Sequence, residues 1–455
     1  MSLSKYHICF KVIETFINCT EEVTMYGRIV TTYRVKRIFF LLFLATCVVV
    51  TPFTGGAEET KWLVPPAFEG EELKKVREWE KTWAGKTVDR SNVDQVKEFV
   101  PEGVYEVITN TSKWGDFDFS FVIVPYRTYK PTSGLVEATH KYSPLAKLTP
   151  EESVENYHTM AGVPFPKPKT GLEIVWNYFM WSRGDEFIRP KGRGSPVDAR
   201  TKLERGAITS HWTAYYVNRV DKPPLPNVQK NRRKIRKARF MHMEAPPHMT
   251  DFTSLHIQYI DLSKPDDGWM YWPRFRKITR IETDTRDDVY DGLDWIQDDF
   301  PDCFDDTPDV QNYKLVGRKK LLVSRHTDSS TYERELGMPM FRGIQRELIN
   351  AYVVEVTHKI TGFVYPKQLW FMDPETCAIL FKLIYNRQGQ LWKFMGVYTD
   401  IRGAYGGEVA MAEAYTLVDL IRRHGTVDIS GKTDITSKWS RDRVFSIRNL
   451  DRRAY

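Results

Sequence analysis

Residues 365–402 read YPKQLWFMDPETCAILFKLIYNRQGQLWKFMGVYTDIR. Three runs, YPKQLWFMD (365–373), TCAILFKLIYN (376–386) and LWKFMGVYTDIR (391–402), are rich in the aromatic and β-branched residues that favour strands. Between them stand Asp373-Pro-Glu-Thr376 and Asn386-Arg-Gln-Gly389, which carry tight-turn chemistry. A parallel pair needs a crossover of a dozen or more residues, so neighbours on linkers this short pair antiparallel.

The pattern continues outward on the N-terminal side. INAYVVEVTHK (349–359), YKLVGRKKLLVS (313–324), WMYWPRFRKITRI (269–281), SLHIQYIDL (254–262) and ITSHWTAYYVNRV (208–220) read as further strands. No helix-length crossover interrupts them, which excludes a parallel α/β sheet. An antiparallel sheet this long needs cover for its apolar face. That cover is available as helices at 69–81, 89–100 (with Ser91 as N-cap), 149–160 and 169–181, read from apolar spacing and start signals. Phe117, Phe119, Phe121 and Ile123 alternate as one more strand. The expected fold is therefore mainly β with helices (α+β): a large antiparallel sheet curled into an unclosed half-barrel capped by helices. Residues 58–165 form a helical and strand segment packing on the sheet, and residues 166–455 form the half-barrel.

The N-terminus carries a targeting signal. Arg34-Val-Lys36-Arg37 precedes the thirteen-residue apolar run Ile38–Val50, and Thr54-Gly-Gly-Ala57 supplies a small-residue exit. This is the form of a secretory signal peptide, and it falls short of the ~20 residues that span a bilayer. Residues 1–57 are expected to be removed after Ala57, with translation starting at Met25 and lipidation at Cys47 disfavoured by the Thr before it. The net charge then falls from +7 to +4, because the segment holds six Lys/Arg and three Asp/Glu. That is far from the basicity of a dedicated nucleic-acid binder. Two cysteines remain, Cys303 and Cys377, paired or free.

WMYWPRFRKITRI sets four aromatic and four basic residues in thirteen positions. Such interleaving suits a single-stranded nucleic-acid platform, but the low charge and export signal favour a strand with one greasy face, bent at Pro273. Two charge runs stand out nearby. Residues 230–239 (KNRRKIRKAR) hold seven Lys/Arg, and residues 284–309 (DTRDDVYDGLDWIQDDFPDCFDDTPD) hold eleven Asp. The basic run reads as a solvated edge that blunts pairing. The acidic run reads as a solvated loop, since Asp288–Gly292 only half-matches a calcium loop. HExxH, GxSxG, P-loop and CxxC patterns are missing, and Gly192-Arg-Gly194 lacks the strand and helix context of a glycine loop.

Several segments in order resemble one family: MAGVPFPKPKTGLEIVWN (160–177), WMYWPRFRKITRI, DGLDWIQDDF (291–300), YKLVGRKKLLV, YVVEVT with VYPKQLWFMDPETCAILFKLIYNRQGQLWK (352–393), and FSIRNLDRR (445–453). Together they resemble the domain of unknown function 1329 family, secreted Gram-negative proteins described as similar to outer-membrane lipoprotein-sorting proteins. The resemblance implies a LolA/LolB-like half-barrel with an apolar cavity for acyl chains, and association with RND-superfamily exporters.

The functional expectation is a non-catalytic periplasmic carrier for a lipid or other hydrophobic ligand, without cofactor, metal or nucleic acid. The alternative is a module that docks an exporter to the outer membrane, using the two charge runs as surfaces. Candidate cavity residues are Trp176 and Phe179 on the capping helix, with Trp269, Tyr271, Trp272, Trp295, Trp370 and Trp392 on strands or lips. Arg274, Arg276, Lys277 and Arg280 are candidates for headgroup or surface contact.

Overall fold

The computed structural model describes residues 61–115, 117–180, 183–198, 206–283, 286–289, 292–333 and 337–452. The expected signal segment and Cys47 lie outside them.

Thirteen strands form one continuous antiparallel path. Its first meander is β3 (Glu186–Asp198), β4 (Ala207–Tyr215), β5 (Ile235–Ala245), β6 (Thr253–Tyr259), β7 (Asp267–Trp272) and β8 (Lys277–Ile281). The second is β9 (Gln311–Val323), β10 (Ile344–His358), β11 (Lys367–Met372), β12 (Ile379–Tyr385), β13 (Leu391–Ala404), β14 (Gly407–Asp419) and β15 (His424–Ile429). The seam is β15 on β3, with Val427 opposite Ser195. Among the described residues β8 and β9 do not pair, so the sheet stays open. One short addition runs the other way: β2 (Phe121–Ile123), itself paired with β1 (Thr87–Val88), joins the start of β10 in parallel.

Strand alternation sends successive side chains to opposite faces, and both faces of β10–β14 are apolar. Ile349, Ala351, Val353, Phe371, Phe394 and Val418 meet the N-terminal layer, which includes α1 (Gly70–Trp83) and α2 (Glu102–Thr109). A further helix, α3 (Ser133–Tyr142), starts with the Thr132 hydroxyl capping Leu135. Tyr352, Val354, Trp370, Met372, Met395 and Leu417 face the other way, onto α4 (Gly171–Met180) and residues 295–304. On the first meander, Trp212, Ala214, Phe240, Leu255 and Ile257 pack against the C-terminal Val444, Phe445 and Leu450.

Local expectations failed where the backbone lacked a partner or turned left-handed. The 89–100 stretch is 3-10 helical over Val93–Phe99. The helix expected at 149–160 does not form: Glu152 and Asn156 adopt φ +62° and +53°, and only Tyr157–Thr159 makes a 3-10 turn. Phe117 and Phe119 are buried but unladdered, so β2 is only three residues long. Pro273 is a hairpin corner: Phe275 N donates to Trp272 O at 3.1 Å and Arg276 N to Pro273 O at 3.2 Å, closing β7 onto β8 at the sheet edge.

The reading of the basic run as a solvated edge holds for Lys230, Arg232, Arg233 and Lys234, which are exposed, and fails for the rest. Its second half is β5, and Arg236 and Lys237 are buried. The solvated acidic loop is overturned as well, because Asp294, Asp298, Asp299, Asp302 and Asp305 are all buried.

Candidate ligand site in the interior of the sheet

The acidic segment enters the fold because the sheet curls around it. Its carboxylates reach side chains on β3, β5 and β12, which lie on both meanders, so these strands bend about one centre. One half of that interior is apolar. Ile174, Val175 and Tyr178 of α4 lie on it together with Trp295, Ile296, Cys303 and Phe304 of the segment.

The other half is ionic. Asp302 sits 2.7 Å from Arg189 and 3.6 Å from Arg183, and accepts from the Tyr415 hydroxyl at 3.1 Å. Burial alone would raise its carboxyl, but Arg189 and Arg183 outweigh that and hold it well below the usual carboxylate range. Asp305 pairs with Lys237, with Arg239 at 3.1 Å and with Arg286 at 3.6 Å. Against the same opposing burial, those cations keep it ionised. Burial pushes Lys237 down to about 8, with Asp305 opposing the shift. The two charge runs that stand about fifty residues apart in sequence are thus each other's partners.

The remaining carboxylates pin the segment to the second meander. Asp299 lies 3.1 Å from Lys382 Nζ and accepts from Tyr365 Oη at 2.8 Å. Asp294 accepts from Thr426 Oγ1 at 2.9 Å and lies 2.7 Å from His424 Nδ1. The Asp294 hydrogen bond raises the His424 imidazole against burial. Asp298 is pushed the opposite way, upward, by burial and then by Asp306, and its Oδ1 caps the backbone N–H groups of Asp305 and Asp306.

The interior is packed. Between α4 and β10 the space bounded by Ile174, Asn177, Tyr352 and Cys377 is about 10 Å³, at the lower limit for one water. A larger cleft of about 540 Å³ opens at the end of the acidic segment, lined by Val289, Leu293, Asp294, Ile421, Arg422 and His424. Cys303 and Cys377 are free and buried. Among the described residues no cluster of three or more His, Cys, Asp or Glu could hold a metal, and no helix is long and apolar enough to cross a membrane.

The candidate cavity aromatics fall into four places. Trp295, Trp370 and Trp392 come together in the apolar half of the interior. There Trp370 lies 5.0 Å from Phe304, Trp295 5.7 Å from Phe300, and Trp392 6.0 Å from Tyr365. Trp176 and Phe179 form a separate cluster with Tyr157 and Met160, where Trp176 donates to Glu152 O at 2.9 Å and Arg236 covers the Phe179 ring at 4.1 Å. Trp269 and Tyr271 pack on the opposite face of the sheet, in the cluster that holds the C-terminal residues. Trp272 meets Phe252 edge-on at 4.8 Å. Arg274, Arg276, Lys277 and Arg280 are exposed on the β7–β8 hairpin, and Arg280 reaches Asp267 at 2.5 Å.

Sequence reasoning missed Arg183, Arg189, Lys382 and Lys393 as interior groups. A signal existed for Lys382, the single charge inside the apolar run CAILFKLIY. Strand alternation puts it on the face of Ile384 and Trp370, where only a carboxylate partner makes it tolerable.

An open antiparallel half-barrel whose interior is filled by a charged, irregular segment and a helix is the class of protein this geometry defines. Within that class the chain belongs to the family described as "Protein of unknown function (DUF1329)", whose model matches residues 87–450. It is 23% identical over 354 residues to uncharacterized protein PA3922 of Pseudomonas aeruginosa, a match covering 74% of this chain and 73% of that one. Among solved structures it is similar to a DUF1329 family protein from Desulfovibrio piger, with a TM-score of 0.43 and 15% identity over 61% of this chain and 95% of that one. It is also similar to a putative outer membrane lipoprotein-sorting protein domain from Vibrio parahaemolyticus (TM-score 0.42, 13% identity, 62% and 98% covered). A LolA superfamily protein from Nitrosomonas europaea matches with a TM-score of 0.37 and 12% identity, over 61% and 98% of the two chains.

Proposed function

We propose that this protein is a non-catalytic carrier for a lipid or other hydrophobic ligand. It would act in the periplasm behind its N-terminal signal, as an accessory to an RND-type exporter or to outer-membrane lipid traffic. One observation carries the reading. The apolar face of β10–β14 is covered by α4 and by a segment, 292–310, that has almost no regular structure of its own and is held by ion pairs to β3, to β5 and, on the covered face itself, to Lys382 of β12. A cover of this kind can exchange with an acyl chain without unravelling the sheet.

Burial supports the energetics. An acyl chain gains about 0.8 kcal/mol per CH₂ removed from water, so a chain of roughly 14 carbons supplies about 11 kcal/mol towards displacing the segment. Trp295, Trp370 and Trp392 are the aromatics that would meet it. The docking alternative keeps the exposed Lys230, Arg232, Arg233 and Lys234 as a surface, while Arg236, Lys237 and most of the acidic run are turned inward.

The test is mass spectrometry of native protein purified from its own host, with titration of a fluorescent fatty acid. A co-purifying lipid released on denaturation, with saturable probe binding, is the expected result. Protein that carries no lipid and binds no probe defeats the reading.

A further inference from the structure

The described residues contain a buried arginine whose charge nothing balances. Arg346, near the start of β10, is 5% exposed. Its Nη1 donates to the Leu322 carbonyl at 3.1 Å, its guanidinium lies 5.0 Å from the Phe121 ring centre, and its Nε has no partner. No carboxylate among the described residues comes within ion-pair distance. Arg189, Arg219 and Arg325, equally buried, meet Asp302 at 2.7 Å, Glu186 at 3.1 Å and Asp373 at 2.8 Å, and Arg236, also without a carboxylate in ion-pair distance among the described residues, donates to the Gln258 amide oxygen. A desolvated charge without a counter-charge is among the most unfavourable arrangements a fold can hold.

The groups around Arg346 share the deficit. Ser324 lies just past the end of β9, two residues after Leu322, whose carbonyl Arg346 holds. Ser324 Oγ, Thr327 Oγ1 and Tyr332 Oη are all buried and have no hydrogen-bond partner except one another. The three residues converge on β13: Thr327 N–H donates to Thr399 O at 3.3 Å, Ser324 bridges to Tyr398, and the Tyr332 ring lies 5.5 Å from the Tyr398 ring. Burial pushes the Arg346 guanidinium down, with Tyr398 and then Tyr332 opposing the shift. Thr399, whose N–H donates to Ser324 O at 3.2 Å, also keeps an unpartnered buried hydroxyl. Buried polar atoms are nearly always satisfied, and here the deficit is concentrated around one cation and consists of groups that can all donate.

We propose that Arg346, Ser324, Thr327 and Tyr332 form an internal site for a compact oxyanion, a phosphate or carboxylate group. A guanidinium with flanking hydroxyl donors is the chemistry that recognises such a group. The site lies on the side of β10 that meets β2 and the N-terminal layer, away from the 292–310 segment, so it stands or falls independently of the carrier reading.

The test is thermal unfolding and calorimetric titration of the whole protein. Inorganic phosphate, octanoate and a short-chain phosphatidate are each compared with chloride at equal ionic strength. The expected result is an unfolding midpoint that rises with the logarithm of oxyanion concentration, with the response lost in Arg346→Gln. Response to inorganic phosphate identifies a free ion, and response only to octanoate or phosphatidate identifies a ligand headgroup; either supports the site. If Arg346→Gln does not fold, the Ser324→Ala/Tyr332→Phe double variant should bind about tenfold more weakly through its lost donors. No response above chloride in wild type, or an equal response in the variants, overturns the proposal.

Discussion

Asp302 of the interior segment lies 2.7 Å from the guanidinium of Arg189 on β3, with both side chains only 5% exposed. Arg183 stands 3.6 Å from the same carboxylate. Replacing Asp302 by Asn keeps the shape and removes the charge, which leaves two buried guanidinium groups uncompensated. Breaking a buried pair in this way costs about 3–5 kcal/mol. Chemical denaturation of Asp302→Asn should show a loss of that size. A loss below about 1 kcal/mol, the range of exposed pairs, would mean that water reaches the site.

Trp370 and Trp269 were equivalent candidates in sequence and are not equivalent in the fold. Trp370 is fully buried in the interior, while Trp269 is half-buried on the opposite face. Trp370→Ala should cost about 3–5 kcal/mol and should also abolish binding of the fluorescent fatty acid. Trp269→Ala should leave that binding unchanged. Equal loss in both variants, in protein that remains folded, would remove the interior of β10–β14 as the ligand site.

His211 on β4 gives a pH dependence. Burial, followed by Arg239 and Arg189, pushes its imidazole down to about 3. The folded state therefore holds it neutral, whereas the unfolded chain takes up a proton near 6.5. The unfolded state binds more protons in this window, so His211 stabilises the neutral-pH fold and its contribution is lost as pH falls from about 6.5 towards 3. The stability difference between wild type and His211→Asn should shrink over that interval. A difference that stays constant with pH would show that His211 does not titrate differently in the two states.

Cys303 and Cys377 should behave as inert interior groups. Both are buried, and burial is the main cause pushing both thiols up, which suppresses the reactive thiolate. Ellman's reagent should label neither in native protein and both after denaturation without reductant. Fewer than two thiols in the denatured sample would mean that a disulfide forms.

The strands between 349 and 402 could be read directly because their turns are local. Asp373-Pro-Glu-Thr376 and Asn386-Arg-Gln-Gly389 each fix a neighbour, and the register follows from them. β3 and β15 were not read: Gly192-Arg-Gly194 resembled a loop, and while β4 pairs with β3 locally, the other partner of β3, β15, lies more than two hundred residues away. β5 was hidden by its own charge. Arg236, Lys237 and Arg239 look like a solvated edge until a buried carboxylate is known to stand opposite. The aromatic residues were correctly singled out as apolar. Which face each would take depended on strand phase and on what covers that face, and neither is written in the run itself.

WMYWPRFRKITRI illustrates the division. By itself it specified two extended halves, a break at Pro273 and a greasy face shared by Trp269 and Tyr271. Tertiary structure decided that the break is a hairpin at the sheet edge, and that the greasy face meets the C-terminal residues instead of the sheet interior. In the same way, composition and alternation along the chain were enough to specify a large antiparallel sheet and an apolar surface needing cover. Only the curl of the sheet brought the acidic 284–309 run against the basic 230–239 run. The physical reason is that hydrophobic patterning is local and survives in one dimension, whereas a buried charge is tolerated only beside its partner, and that proximity exists only in three.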